Sequence, residues 1–194
     1  MLRRQALGVQ PSIRAAVTVT FLRLDQQPGG PAPPWAGDTD LIRVERPTIG
    51  FYRYMYDTVG APYLWWLRRA LPTSALAGIL NDPAVSVHVL YRSGEPAGFF
   101  ELDGRARPDV NLSYFGLFPH AVGNGLGGSF LRAAIDAAFV ASGRGVTVNT
   151  CTADHPRAMQ TYLRAGFKAV RSVREVWDVP TRLGMVVPEN LRAD

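Results

Sequence analysis

Hydrophobic residues alternate with polar ones along some stretches of the chain and recur every three to four residues along others. Alternation and β-branched residues predict strands, whereas helical spacing predicts helices. The predicted strands cover residues 17–24, 41–45, 85–91, 96–103, 110–117, 146–151 and 168–179. The predicted helices cover 73–80, 127–141 and 156–165, together with two short helical segments within 49–71 that Gly60 and Pro62 separate.

Residues with special backbone properties mark the ends of these elements. Thr73 is expected to cap the helix 73–80, and Pro156 to lie in the first turn of the helix 156–165. Gly166 is expected to end that helix, and Gly143–Gly145 the one before it. Met1–Arg14 is expected to be a loose arm, and the Pro- and Gly-rich stretch 28–34 a connection.

The order of the elements predicts an α+β (mixed α/β) fold. Antiparallel hairpins come first, and a strand–helix–strand–helix–strand series follows. A strand–helix–strand unit usually forms a right-handed crossover between parallel strands. We therefore expect antiparallel strands early in the chain and a parallel pair at the centre of the sheet.

Composition narrows the class of protein. With 194 residues, 47% hydrophobic and 19% charged, the chain is long enough for one domain with an extension and is not wholly disordered. One cysteine, Cys151, excludes a disulfide framework, and three separated histidines give no metal-binding spacing, so we expect no metal. No apolar run reaches about 18 residues. The basic N-terminus has no apolar segment behind it, so we expect a cytoplasmic protein without a membrane partner.

The net charge of +5 comes mainly from dispersed arginines. Dispersed charge of this kind is typical of a solvated surface, and no run or stripe of basic residues accompanies it. We therefore expect no nucleic-acid partner.

The most informative segment is a glycine-rich turn between a predicted strand and a predicted helix. Gly123, Gly125, Gly127 and Gly128 let the backbone turn tightly before the free N–H groups of the helix start. Such a turn can hold a pyrophosphate, although a turn that binds nothing is the alternative. A Walker A loop is excluded because no lysine precedes Ser129, and a Rossmann motif because no early strand–helix–strand unit is present.

Residues 110–167 resemble the core of the GNAT superfamily of acyl-CoA-dependent N-acyltransferases. The segment Val122–Gly127 (VGNGLG) corresponds to the family turn R/Q-x-x-G-x-G/A. The segment His155–Phe167 corresponds to N-x-x-A-x-x-x-Y-x-x-x-G-F. The resemblance implies a GNAT-like fold, with a central mixed, twisted sheet of about six to seven strands flanked by helices. It divides the chain into an N-terminal arm, strand and loop (1–40), an acyltransferase domain (41–180) and a C-terminal tail (181–194).

The resemblance also implies an acetyl-CoA site. Its expected cofactor-binding residues are Leu117, Phe118, Pro119, Val122, Gly123, Asn124, Gly125, Leu126, Gly127, Gly128, His155 and Arg157. The backbone of the first three would pair with the pantetheine arm, and Gly116 is expected to form a β-bulge beside them. Val122 stands where the family usually has Arg or Gln, so the turn would rely on backbone donors.

By the same resemblance, Tyr162 would protonate the leaving thiolate, or would only orient the cofactor. Asn111 stands where some family members have a catalytic glutamate, and an amide cannot act as a base. Glu101 is the expected substitute; the alternatives are that Glu101 is a salt-bridged structural acid and that waters lined by Ser113 relay the proton.

The resemblance implies acetyl transfer from acetyl-CoA to a primary amine, on a small molecule or a peptide, by direct attack in a ternary complex. The aromatic stretch 51–66 is expected to wall the acceptor site, with Asp57 and Glu45 as candidates to hold an ammonium. The alternative is a non-catalytic acyl-CoA-binding sensor or partner subunit. The last predicted strand could pair with a second copy, which leaves a homodimer open.

Overall fold

The structure, a computed structural model, describes residues 11–142 and 144–193. Within these residues the chain forms seven strands and five α-helices, joined by loops and short 3₁₀ turns. The strands are β1 (Ser12–Leu24), β2 (Thr39–Val44), β3 (Val85–Arg92), β4 (Glu95–Asp103), β5 (Val110–Leu117), β6 (Val146–Cys151) and β7 (Lys168–Pro180). The helices are α1 (Ile49–Gly60), α2 (Leu67–Ala70), α3 (Thr73–Leu80), α4 (Leu126–Ser142) and α5 (Ala158–Arg164).

The strands form one sheet in the order β2-β3-β4-β5-β6-β1-β7. All neighbours are antiparallel except β5 and β6, which are parallel. The predicted mixed α+β fold, with antiparallel strands early and a parallel pair at the centre, is therefore confirmed.

Strand β1 lies between β6 and β7 and is antiparallel to both. Val19, for example, is paired with Cys151 on one side and Val173 on the other. The strand that the sequence places in the segment 1–40 is thus an interior member of the same sheet as the strands after residue 40. The prediction of a loose arm is wrong for residues 12–14, which already pair with β7; residues 1–10 lie outside the described residues.

Strand β7 forms one edge of the described sheet. Val170, Val173 and Val176 of this strand are exposed. The homodimer through this strand stays a prediction.

The two faces of the sheet are covered by different helices. Phe99 and Phe100 are neighbours on β4 and point to opposite faces, as residues of a strand do. Phe99 packs in a cluster with α1 and α3, whereas Phe100 packs in a cluster with α4 and α5. A third cluster joins β1 to Val187 and Leu191 of the tail.

The parallel pairing of β5 and β6 is short. Only Val110 with Val146 and Asn111 with Thr147 are paired; beyond this point the two strands share no ladder hydrogen bonds. On the other side of β5 the register shifts so that Ser113 is an extra residue. The predicted bulge at Gly116 is therefore wrong, since the irregularity lies three residues earlier.

The helix α3 spans the predicted 73–80, but the cap expected at Thr73 and the first-turn position expected for Pro156 differ from the structure. Pro72, not Thr73, is the residue before α3, because its carbonyl accepts the first helical hydrogen bond, from Leu76 N–H. Pro156 lies outside α5, in a turn closed by the Ala158 N–H to His155 carbonyl bond. Gly166 adopts φ +96° and ends α5 as predicted. Gly143, the first residue predicted to end α4, lies outside the described residues.

Candidate active site

A cavity of about 1230 Å³ lies where β5 and β6 separate. Its wall includes the ends of both strands, the glycine turn, the first turns of α4 and most of α5. The segment between α1 and α2, together with β1 and β7, closes the other side. Where the short parallel pairing ends, the two strands separate and leave one cavity. Residues from both halves of the chain line this cavity.

The glycine turn forms one part of this wall. Gly123 and Gly125 have φ values of +87° and +77°, a backbone conformation that residues with a side chain rarely adopt. A Cβ atom added at Gly127 or Gly128 would meet no heavy atom within 4 Å, so these residues border open space. The turn leads directly into α4, whose first N–H groups have no partner within the helix.

Nine of the predicted cofactor-binding residues line the cavity: Leu117, Val122, Gly123, Gly125, Leu126, Gly127, Gly128, His155 and Arg157. Phe118, Pro119 and Asn124 are not in its wall. Phe118 donates its N–H to the Ala97 carbonyl and Pro119 has no N–H, so neither can donate a backbone hydrogen bond to a pantetheine arm. The Asn124 amide donates to the His120 carbonyl instead.

Arginines of the second predicted motif also border the cavity. Arg157 and Arg164 line it, at the two ends of α5, and their guanidinium groups form no ion pair within residues 11–142 and 144–193. The guanidinium of Arg132, by contrast, is held by Asp136 and by the Gly30 carbonyl. Arg164 stands at a position of this segment that the motif does not specify, so its place in the cavity wall is found only from the fold.

The Pro- and Gly-rich connection between β1 and β2 is part of the site. Pro28, Pro31 and Pro33 line the cavity. The Ser129 hydroxyl near the start of α4 donates to the Pro34 carbonyl at 2.7 Å, which fixes the loop beside the glycine turn. No motif in the sequence predicted this role.

Tyr162 lies in the wall of the cavity, close to the rings of Phe115 and Phe167. Burial, with a smaller contribution from the charge of Asp154, raises the pKa of this phenol well above its usual value of 10. The hydroxyl is therefore protonated throughout the neutral pH range, as a proton donor must be.

Glu101 does not line the cavity. Its side chain is fully buried, and its two carboxylate oxygens accept hydrogen bonds from the Tyr52 hydroxyl and from Nη2 of Arg68, each at 2.5 Å. Arg68 itself reaches the cavity wall and lies over the Tyr114 ring. The expectation that Glu101 is the general base has no support in this geometry, which favours the alternative of a salt-bridged structural acid.

Asn111 and Ser113 stand at the point where β5 leaves β6. The Asn111 amide donates to the carbonyl and hydroxyl of Thr147, and its own oxygen accepts from the Ser113 hydroxyl at 3.0 Å. Both residues line the cavity. They are the polar groups that could order waters near the start of the opening.

The remaining wall is aromatic and contains two carboxylates. Its aromatic residues include Phe21, Tyr63, Trp65, Trp66, Tyr114 and Trp177, and its acids are Asp154 and Glu175. Asp57 and Glu45, which the sequence favoured as ammonium ligands, do not line it: Asp57 pairs with Arg69, and Glu45 is exposed beyond the end of β2.

Cys151 also borders the cavity, but burial and the nearby Asp154 raise the pKa of its thiol to about 12. A thiol with this pKa is a poor nucleophile at neutral pH.

Within the described chain, no three His, Cys, Asp or Glu side chains are grouped as metal ligands. None of the described helices is both long enough and apolar enough to cross a membrane.

Comparison with known proteins gives the family. The model of the acetyltransferase (GNAT) family matches residues 46–167, which is more than half of the chain. This protein belongs to the GNAT acetyltransferase family. No curated protein sequence matches it significantly.

Solved structures share the GNAT fold at low sequence identity. A functionally unknown conserved protein from Staphylococcus epidermidis has a TM-score of 0.60 and 15% identity, over 86% of this chain and 63% of that one. A GCN5-related N-acetyltransferase from Sphaerobacter thermophilus has a TM-score of 0.57 and 18% identity, over 88% and 53%. A tandem GNAT protein from the clavulanic acid biosynthesis pathway has a TM-score of 0.55 and 17% identity, over 89% and 56%. The chain therefore spans between half and two-thirds of the length of these structures.

The residues of this GNAT protein fit an acyl-CoA. The positive φ values and the unobstructed glycines leave backbone N–H groups accessible for a pyrophosphate, while Arg157 and Arg164 supply positive charge to the same cavity. Val122, 41% exposed in the cavity wall, adds no charge where the family usually has one. Backbone donors and the arginines of α5 would therefore hold the phosphates.

Proposed function

We propose that the protein is an acetyl-CoA-dependent N-acetyltransferase that acetylates a primary amine of a small molecule or a peptide by direct attack in a ternary complex. The observation that carries the proposal is that the glycine turn and the Tyr162 phenol line one cavity at the opening between β5 and β6. Acetyl-CoA, when bound there, supplies the acetyl group as a thioester.

The chain's own residues act mainly by positioning and by moving protons. The amine nitrogen forms a bond to the acetyl carbonyl carbon, and the carbon–sulfur bond breaks. Tyr162 is the group proposed to donate a proton to the departing thiolate, since its phenol stays protonated at neutral pH. The proton lost by the amine is proposed to leave through waters ordered by Asn111 and Ser113, because Glu101 is enclosed by Arg68 and Tyr52.

The competing function is a non-catalytic acyl-CoA-binding sensor. It is motivated by the absence of a carboxylate at Asn111 and of the usual basic residue at Val122. A sensor would bind acetyl-CoA without consuming it, so turnover separates the two functions.

The test is the release of free thiol from acetyl-CoA in the presence of a panel of primary amines, with product masses recorded. The proposal expects amine-dependent thiol release and a product heavier by one acetyl group. Binding of acetyl-CoA without turnover on any amine, peptides included, would favour the sensor.

A further inference from the structure

Two carboxylates in the cavity wall have no cationic partner among the described residues. Asp154 accepts hydrogen bonds from the Thr150 hydroxyl and the Cys151 N–H, both at 2.8 Å, and from the Trp65 indole N–H at 3.4 Å. Glu175 accepts one from the Trp177 indole N–H at 2.7 Å. All these donors are neutral, so they orient the carboxylates and leave their negative charges uncompensated.

Three acids outside the cavity wall are arranged differently. Glu101 pairs with Arg68, Asp57 with Arg69 and Asp136 with Arg132. A carboxylate that is kept in a half-buried wall without a cation attracts one from solution. Arg157 and Arg164 line the same cavity, but neither pairs with Asp154 or Glu175, so the two acids favour a positively charged ligand group beside them.

Aromatic rings surround these two acids. Trp65 and Trp177 each bind a carboxylate through the indole N–H and also line the cavity, together with Tyr63, Trp66 and Phe21. A wall with this many aromatic rings favours a ligand that has an apolar or aromatic group. The faces of the rings also attract cations. A small hydrophilic amine would leave this apolar surface in water.

Asp154 is close to the predicted centre of transfer. It lies in the loop between β6 and α5, three residues before Arg157, and α5 carries Tyr162. Its charge contributes to raising the pKa values of Tyr63, Cys151 and Tyr162. An ammonium held by Asp154 would therefore lie near the phenol that serves the thiolate.

We propose that the acceptor is a primary amine with an apolar, preferably aromatic, body, and that Asp154 is the residue that selects it by binding its ammonium group. Glu175 adds negative potential from β7. The choice of acceptor class rests on the proposed function, but the binding of the amine does not require turnover and is measured without it.

The test is a titration of the intrinsic tryptophan fluorescence of the whole protein with three probes: 2-phenylethylamine, 2-phenylethanol and propylamine. The alcohol lacks the charge and propylamine lacks the ring. We expect 2-phenylethylamine to bind at least about tenfold more tightly than either, since a charge-assisted hydrogen bond and ring burial each contribute about this much.

Variants separate the role of Asp154 from general damage. Asp154→Asn keeps an oxygen for the Thr150 and Cys151 bonds and is expected to weaken 2-phenylethylamine binding about tenfold or more, while leaving 2-phenylethanol binding within twofold. Glu175→Gln is expected to weaken 2-phenylethylamine binding two- to fivefold. Asp178→Asn, an exposed carboxylate on β7 outside the cavity wall, is the matched control and should change nothing.

Equal binding of 2-phenylethylamine and 2-phenylethanol, unchanged binding in Asp154→Asn, or binding of propylamine as tight as that of 2-phenylethylamine would each overturn the inference. Where Asp154→Asn fails to fold, judged by its melting temperature, Trp65→Phe provides the second variant, since it removes the indole N–H and keeps a ring. Amine binding without acetyl transfer would contradict the proposed function alone, and acetyl transfer only to hydrophilic amines would contradict this inference alone.

Discussion

Gly116 of β5 and Val59 of α1 approach so closely that no side chain fits between them. A Cβ atom at Gly116 would lie 2.4 Å from Cγ1 of Val59 and 3.5 Å from the Trp65 ring. The glycine therefore lets α1 pack directly against the strand that lines the cavity. This is the role of a residue that the sequence assigned to a bulge.

Gly116→Ala is expected to destabilise the protein by about 1–3 kcal/mol, because the added methyl group overpacks a closed contact. Val59→Ala in the same chain should recover part of this loss, and the measurement is urea unfolding of the two single variants and the double variant. Gly78→Ala is the control: it lies in α3 with no heavy atom within 4 Å of the new Cβ. It should stabilise by up to about 1 kcal/mol, since alanine favours helix. A Gly116→Ala variant as stable as the wild type would show that the contact is loose.

Glu101 is expected to matter for stability more than for chemistry. Glu101→Ala leaves the Arg68 guanidinium without its carboxylate, and breaking a buried ion pair from one side costs about 3–5 kcal/mol. The exposed Glu95 on the same strand provides the control, and Glu95→Ala should stay within about 0.5 kcal/mol of the wild type.

The more conservative Glu101→Gln variant separates structure from catalysis. Gln keeps the shape and one acceptor, so a fraction of the protein should fold, and kcat per folded molecule should fall by less than tenfold. A fully stable Glu101→Gln variant with kcat reduced a hundredfold or more would restore Glu101 as the base.

Several parts of this fold follow from local sequence, and others depend on partners distant in the chain. The bounds of β5 and β6 match the predicted 110–117 and 146–151, because strong alternation and flanking turn residues define both strands. The position of β1 between β6 and β7 was not predictable, since the alternation within a strand does not indicate which strands will pair with it.

Some residues of the candidate site could likewise be predicted from local sequence, and others could not. The glycine turn and Tyr162 carry sequence motifs and were predicted to line a common site. Asp154 and Glu175 have no motif, and their significance comes from the lack of an arginine partner among the described residues, which only the folded chain shows. The pairing of Glu101 could not be predicted, because its partner Arg68 is 33 residues away and gives no local signal.

A substitution at Val122 tests the role of the glycine turn through a gain in affinity for acetyl-CoA. Val122→Arg would restore a basic side chain in the wall of the glycine turn, where the position is 41% exposed. A partly solvated phosphate contact of this kind is worth about 0.5–1 kcal/mol, so the Kd for acetyl-CoA should fall roughly two- to fivefold. Calorimetry at low and high salt measures it, and the gain should shrink at high salt.

Val140→Arg is the matched control for that gain. Val140 lies on α4, is 89% exposed and does not line the cavity, so a positive charge there should leave the Kd unchanged. An equal gain in both variants would mean that overall charge, and not the turn, determines affinity.

Tyr162→Phe is expected to lower kcat by about 10²- to 10⁴-fold, the usual contribution of a general acid, with little change in the Kd for acetyl-CoA. Because burial raises the pKa of this phenol above 10, wild-type kcat should not fall through ionisation of Tyr162 between pH 8 and pH 10. The measurements are kcat across this pH range and a separate binding titration.

Tyr54→Phe is the control for that substitution, since Tyr54 is 52% exposed and lies outside the cavity wall. A Tyr162→Phe variant with normal kcat and weakened acetyl-CoA binding would show that Tyr162 only orients the cofactor.

The central claim, that the cavity between β5 and β6 binds acetyl-CoA, is tested most directly by thermal unfolding with and without this ligand. Acetyl-CoA at about 100 times its Kd should stabilise the fold by about 2.7 kcal/mol. For a domain of this size, that is a rise in melting temperature of roughly 5–11 °C. An unchanged melting temperature at millimolar acetyl-CoA would contradict the claim, and the glycine turn would then be a turn without a ligand.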